Sequence, residues 1–197
     1  MTPKKNEQGK ILLQIARAAI YHALHVPFSA TVAVDKDAAW LSQPGATFVT
    51  LTYKGKLRGC VGSLLACEPL IEDVSSNAIS AAMRDTRFPP LINDELDDIS
   101  VEVSLLSELQ LLSFANEQDA LTKLRPGIDG IVFEYGPYRS TFLPQVWESL
   151  PQPRQFLREL KAKAGLSEDF WADNVKLSRY TVNKWRESDF CKRYANG

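Results

Sequence analysis

Residues Thr47-Phe48-Val49-Thr50-Leu51-Thr52-Tyr53, the polar turn Lys54-Gly55-Lys56 and the return run Leu57-Arg58-Gly59-Cys60-Val61-Gly62 read as a β-hairpin. This stretch constrains the fold most, because a hairpin gives its sheet antiparallel neighbours. A side-chain period of two predicts Arg58, Cys60 and Gly62 on one face and Leu57, Gly59 and Val61 on the other. Two glycines in one strand cost stability and leave nothing to pack. Close approach by another backbone, or by a ligand, is therefore expected at Gly59 and Gly62. A thiol flanked by glycine, two residues from a guanidinium, is accessible and sits in a field that favours thiolate. The competing reading is a buried structural cysteine beside a β-bulge.

The rest of the chain repeats this alternation of hairpins and helices. From Lys10, the residues Ile11, Leu12, Ile15, Ala16, Ala19 and Ala23 recur at helical spacing until Pro27 ends the pattern. His22 and His25 close that helix, where its dipole favours a cation. Glu68-Pro69 opens a second helix that buries Leu70, Val74, Ala78 and Ala81, and Pro89-Pro90 forbids its continuation. Residues 99–105 alternate as a half-buried strand, and 117–124 form a short helix. Residues 130–135 and 138–143 make a second hairpin around Gly136-Pro137. Helices over 153–164 and around 168–171 follow, then a last strand over 177–185. Hairpins separated by helices predict an α+β fold with antiparallel or mixed sheets.

A chain of 197 residues suits one domain, or two small subdomains sharing a core. The core region is expected over 10–186, with polar tails at 1–9 and 187–197. A net charge of −1 argues against strong non-specific nucleic-acid binding, which needs a clustered basic surface. The densest basic group, Arg154, Arg158, Lys161 and Lys163, reads as the solvated face of one helix. No apolar run approaches the roughly 20 residues that span a bilayer. The basic start lacks a following apolar region, so a cytoplasmic location is expected. Three cysteines (Cys60, Cys67 and Cys191) and two histidines offer no metal-ligand spacing, and no glycine-rich phosphate loop follows a strand. No metal and no cofactor are expected.

Five ordered blocks resemble those of the AMMECR domain family, whose bacterial and archaeal members are known as AmmeMemoRadiSam system protein A. They are the Leu57–Gly62 hexapeptide, Arg84-Asp85-Thr86-Arg87-Phe88-Pro89-Pro90-Leu91, and Val101-Glu102-Val103-Ser104-Leu105-Leu106-Ser107. Leu124-Arg125-Pro126-Gly127-Ile128-Asp129-Gly130 and Thr141-Phe142-Leu143-Pro144-Gln145-Val146-Trp147 complete the set. Val61 stands where isoleucine is more usual in the family, and Thr86 where proline is common. The resemblance implies an α+β fold with two packed subdomains. It also implies an association with a Memo-like protein and a radical-SAM protein, without specifying a reaction.

Charge and glycine in these blocks point to a pocket lined by Arg58, Gly59, Cys60, Gly62, Arg84, Asp85, Arg87, Phe88, Pro89, Glu102, Arg139, Thr141 and Gln145. Arginines fork onto carboxylates and phosphates, so a small anionic ligand is expected. The arginines at 84 and 87 could equally cap the end of a helix. Two functions compete. Either the pocket or the Phe88-Pro89-Pro90 loop docks a partner protein, or Cys60 acts catalytically on the anion. A nucleophilic cysteine ordinarily needs a histidine base, and His22 and His25 lie on a different element.

Overall fold

The computed structural model describes residues 4–29, 34–35 and 38–190. The elements run α1 (Lys5–Ala23), β1 (Pro44–Gly45), β2 (Thr47–Tyr53), β3 (Lys56–Gly62), β4 (Glu68–Pro69) and α2 (Leu70–Met83). Next come β5 (Ile99–Leu106), β6 (Gln110–Leu111), α3 (Glu117–Lys123), β7 (Gly130–Tyr135) and β8 (Tyr138–Phe142). The order ends with α4 (Pro153–Lys163), β9 (Lys176–Tyr180) and β10 (Val182–Arg186). The α+β fold expected from the alternation of hairpins and helices is the fold observed.

The chain divides into two units, one running to Leu106 and resuming at Asn183, the other spanning Ser107–Val182. In the first unit a four-stranded sheet has the order β10-β5-β2-β3. Lys54 and Gly55 carry φ of 49° and 78°, so the β2–β3 hairpin closes through a two-residue turn with both residues left-handed. Val49, Leu51, Val101 and Val103 point to one face and pack with Leu12, Ile15 and Ala16 of α1 and Val74, Ala78 and Ala81 of α2. Small residues on α2 let the helix lie close. A Cβ on Gly59 would run into the carbonyl oxygen of Ala81, which explains the first glycine as close backbone approach. At Gly62 the space is filled by the Phe48 ring from the facing strand.

Arg17 locks α1 onto this sheet. It donates to Glu187 and to the carbonyls of Leu96 and Ile99, while Glu187 also accepts the Val101 amide at 2.8 Å. Residues 187–190, expected as tail, therefore contribute to the fold, and α1 begins at Lys5 rather than Lys10.

The second unit carries the sheet β6-β9-β7-β8, with Ile131, Phe133 and Leu177 packed on Phe156, Leu157 and Leu160 of α4. The Trp147 and Phe156 rings stack with centroids 3.7 Å apart. Two expectations fail here. Residues 168–171 form a turn closed by the Phe170 amide on Ser167, not a helix. The expected strand over 177–185 is two strands, β9 in the second sheet and β10 in the first. No helix breaker marks the change. The ladder is handed over at Thr181, whose carbonyl accepts from the Ser107 amide and whose amide donates to Ser107 Oγ. Lys161, expected on a solvated face, is 1% exposed. Its ammonium donates to Glu117 at 2.8 Å and to the Phe170 carbonyl at 3.0 Å. Among the described residues no helix is long and apolar enough to cross a membrane.

Candidate functional site

The hexapeptide does not keep strict alternation. Gly59 faces Leu51 and Leu57 faces Thr52, so Arg58 is the extra residue of a β-bulge. It therefore does not share the face of Cys60, which corrects the expectation from a period of two. Its guanidinium forks onto Glu95, Nε to Oε1 at 2.7 Å and a terminal nitrogen to Oε2 at 2.8 Å. The remaining donors reach the carbonyls of Pro89 at 2.9 Å and Pro90 at 3.3 Å. At 9% exposure Arg58 is a buried clamp between the strand and the diproline segment. Glu95 is held below the ordinary carboxyl range, first by this guanidinium.

Asp85 and Arg87 treat the strand edge in the same way. β3 is an outer strand, and the Cys60 amide donates to Asp85 Oδ2 at 2.8 Å. Arg87 donates to the Cys60 carbonyl at 3.2 Å and to both Asp85 oxygens. Together the two side chains stand in for the peptide group of a neighbouring strand and close the edge. The Arg87 guanidinium, followed by the Cys60 amide, depresses the Asp85 carboxyl far below its ordinary value. Arg84, at the end of α2, is exposed. The charge of the first two blocks thus goes into fastening β3, Arg58 pairing with Glu95 beyond the blocks and Arg87 with Asp85 inside the second.

The opposite face of the first sheet, away from α1 and α2, carries the other chemistry. Thr50 faces both Cys60 and Glu102 in the register, so the three side chains form one row across β3, β2 and β5. Thr50 Oγ1 donates to Cys60 Sγ at 3.3 Å, and the thiol is half-buried. Glu102 accepts from Lys184 at 3.2 Å and from Arg186 Nε, both on β10. Glu102 was expected to pair with arginines; its partners are these two cations, neither marked by any motif. Both histidines belong to the end of α1 and the residues just after it, and α1 packs on the other face.

A buried cluster also escaped the sequence reading. Asp73, in the first turn of α2, accepts the amide of Thr47 at 2.8 Å, its hydroxyl at 2.6 Å, Asn77 Nδ2 at 3.1 Å and Ser63 Oγ. It joins the open end of the β2–β3 hairpin to α2, and the helix N-terminus favours its charge. The Asp73/Asn77 spacing of four was the available signal, but nothing in the sequence marks it as buried.

Comparison with known proteins gives a consistent answer. The AMMECR1 family model matches residues 13–185. The chain belongs to the AMMECR1 family. Protein MJ0810 of Methanocaldococcus jannaschii is 36% identical over 92% of this chain and 90% of its own length. A protein of Sulfurisphaera tokodaii is 39% identical, covering 91% of this chain and 82% of its own length. The crystal structure of an uncharacterized protein, PH0010 from Pyrococcus horikoshii, superposes with a TM-score of 0.76 at 32% identity, covering 92% of each chain.

The last two AMMECR1 blocks lie in the second unit and are also knitted together. Asp129, fully buried, accepts from the Arg125 amide and guanidinium, and its carbonyl accepts Trp147 Nε1 at 2.7 Å. Of the expected site residues here, Arg139 pairs with Glu134 at 3.3 Å, and Thr141 bonds the Tyr180 hydroxyl at 3.1 Å. Gln145 is exposed in a 3-10 turn after β8. Each of these contacts is made within the second unit. A surface depression on α4 is lined by Gln152, Arg154, Arg158 and Glu168, outside every block, and Arg158 and Glu168 are paired within it. Among the described residues no group of three His, Cys, Asp or Glu side chains could hold a metal.

Proposed function

We propose that this AMMECR1 domain is a partner-binding accessory module acting with Memo-like and radical-SAM proteins, and that it docks through the Phe88-Pro89-Pro90 lip beside β3. The observation that carries this reading is the way residues 85–95, a strap laid along β3, are built. Arg58, Glu95, Asp85 and Arg87 fix the segment rigidly, and exposed apolar side chains rise on either side of it. Leu57 is 45% exposed and Ile92 57%. Both flank the same ion pair, since Leu57 precedes Arg58 and the Ile92 amide donates to Glu95 at 3.1 Å. A rigid apolar rim loses little entropy when a partner covers it. Co-purification of the full chain with each companion protein is the test. Leu57→Asp with Ile92→Asp should weaken the complex by about tenfold or more without changing the fold. Unchanged binding would remove this surface from consideration.

A second reading has its own support. Cys60 is a half-buried free thiol hydrogen-bonded by Thr50, which suits chemistry on a small anionic substrate. Cys60→Ser that abolishes turnover while the protein complex survives would favour it over docking.

A further inference from the structure

The geometry points to a binding subsite for a small organic anion on the open face of the first sheet, with Lys184 and Arg186 as its cationic partners and the Cys60–Thr50 pair beside it. The inference rests on the second reading, in which Cys60 meets a small anion, and stands apart from the docking reading, because none of these side chains belongs to the strap. Of the three arginines in the motif blocks of the first unit, Arg58 is committed to Glu95 and two carbonyls, Arg87 forks onto Asp85 and lies against both the carbonyl and the thiol of Cys60, and Arg84 is exposed at the end of α2. At the other end of the row, two further cations come from β10, outside all five blocks.

Both positive charges there face the Glu102 carboxylate, and Asp189, which accepts the Arg186 amide at 2.8 Å, is a second carboxylate near Arg186. Arg186 meets Glu102 through Nε alone, leaving its two terminal nitrogens available for a second, forked anion contact. Lys184 is on the same strand two residues away, so it emerges on the same face. Glu102 is half-buried beneath them, its side chain 15% exposed, while Lys184 and Arg186 are 37% and 57% exposed. The Glu102 carboxylate thus orients the two cations from below and leaves their outer surfaces open to a ligand. Cys60 and Glu102 both face Thr50, so the thiol lies about 10 Å from the carboxylate, two strand spacings away. A ligand with a carboxylate or phosphate at one end would sit on Lys184 and Arg186 and extend along the row over Thr50 toward the sulfur.

The test uses the full chain with Cys67→Ser and Cys191→Ser, so that Cys60 is the reacting thiol. The rate of Cys60 with dithiobis-nitrobenzoate, which carries carboxylates, is compared with its rate with neutral dithiodipyridine. In each exchange the thiolate forms a mixed disulfide and releases one aromatic thiolate or thione. The ratio of the two rates should fall about tenfold in Lys184→Gln/Arg186→Gln. It should be retained in Arg186→Lys, and added benzoate should slow only the anionic reagent. Glu102→Gln, which frees both cations without removing them, should raise the ratio. An unchanged ratio in the double variant, or a fall in Glu102→Gln, would overturn the assignment.

Discussion

The two faces of the first sheet are built from neighbouring residues of the same strands, yet they do opposite work. On one face Val49, Leu51, Val101 and Val103 are sealed against α1 and α2, and Gly59 is bare because the backbone of α2 passes there. On the other, Thr50, Cys60, Glu102, Lys184 and Arg186 form a polar row that the helices do not cover. Packing explains the first set fully and the second hardly at all. Side chains that folding does not require, held in register by a rigid sheet, are the place to look for function.

The largest expected contrast lies within β2. Leu51→Ala should cost about 2 to 5 kcal/mol in urea unfolding, because Leu51 is fully buried. A small loss would mean that this face is not the sealed one. Next comes the strap. Arg58→Ala leaves Glu95 and two carbonyls without their donor and should cost about 2 to 4 kcal/mol. If its loss is negligible, Arg58 is free for a ligand after all.

Asp85 sharpens the comparison through pH. Its folded carboxyl titrates below the unfolded value, so its contribution is complete above about pH 4 and fades as the pH falls further. Asp85→Asn should therefore lower stability by a constant amount, about 1 to 2 kcal/mol, from neutral pH down to about pH 4. Below that the two proteins should converge. A gap that widens on acidification would reverse the sign of the argument. The smallest effect is on the open face, where Thr50→Val should change stability by less than about 0.5 kcal/mol while altering the reactivity of Cys60.

Much of this architecture was legible in the sequence. The period-two pattern located β2, β3 and β5, and the glycine at 59 correctly announced a close backbone. Arg58 was misplaced because a bulge shifts the count by one residue; the strand glycines allowed for a bulge but did not fix which residue is the extra one. Lys184 and Arg186 were overlooked for a different reason. The run over 177–185 has its apolar residues at Leu177, Tyr180, Val182 and Trp185, and no glycine or proline interrupts it, so the passage from one sheet to the other at Thr181 reads as one irregular strand. The motif blocks drew attention to charge, but that charge is paired within a block, as Asp85 with Arg87 and Arg125 with Asp129, or with residues outside the blocks, as Arg58 with Glu95. What the blocks mark most clearly is how the domain is fastened.

Adjacent residues on β3 offer the most direct test that one face folds the domain and the other is left for function. Gly59→Ala and Cys60→Ala add or remove little mass, one residue apart, on opposite sides of the sheet. Urea unfolding of the two variants should show a loss of about 3 kcal/mol or more for Gly59→Ala, because the new methyl meets the backbone of Ala81. Cys60→Ala should stay within about 1 kcal/mol of the parent. Equal losses, or a larger loss at Cys60, would contradict the division of the sheet into a structural face and a functional one.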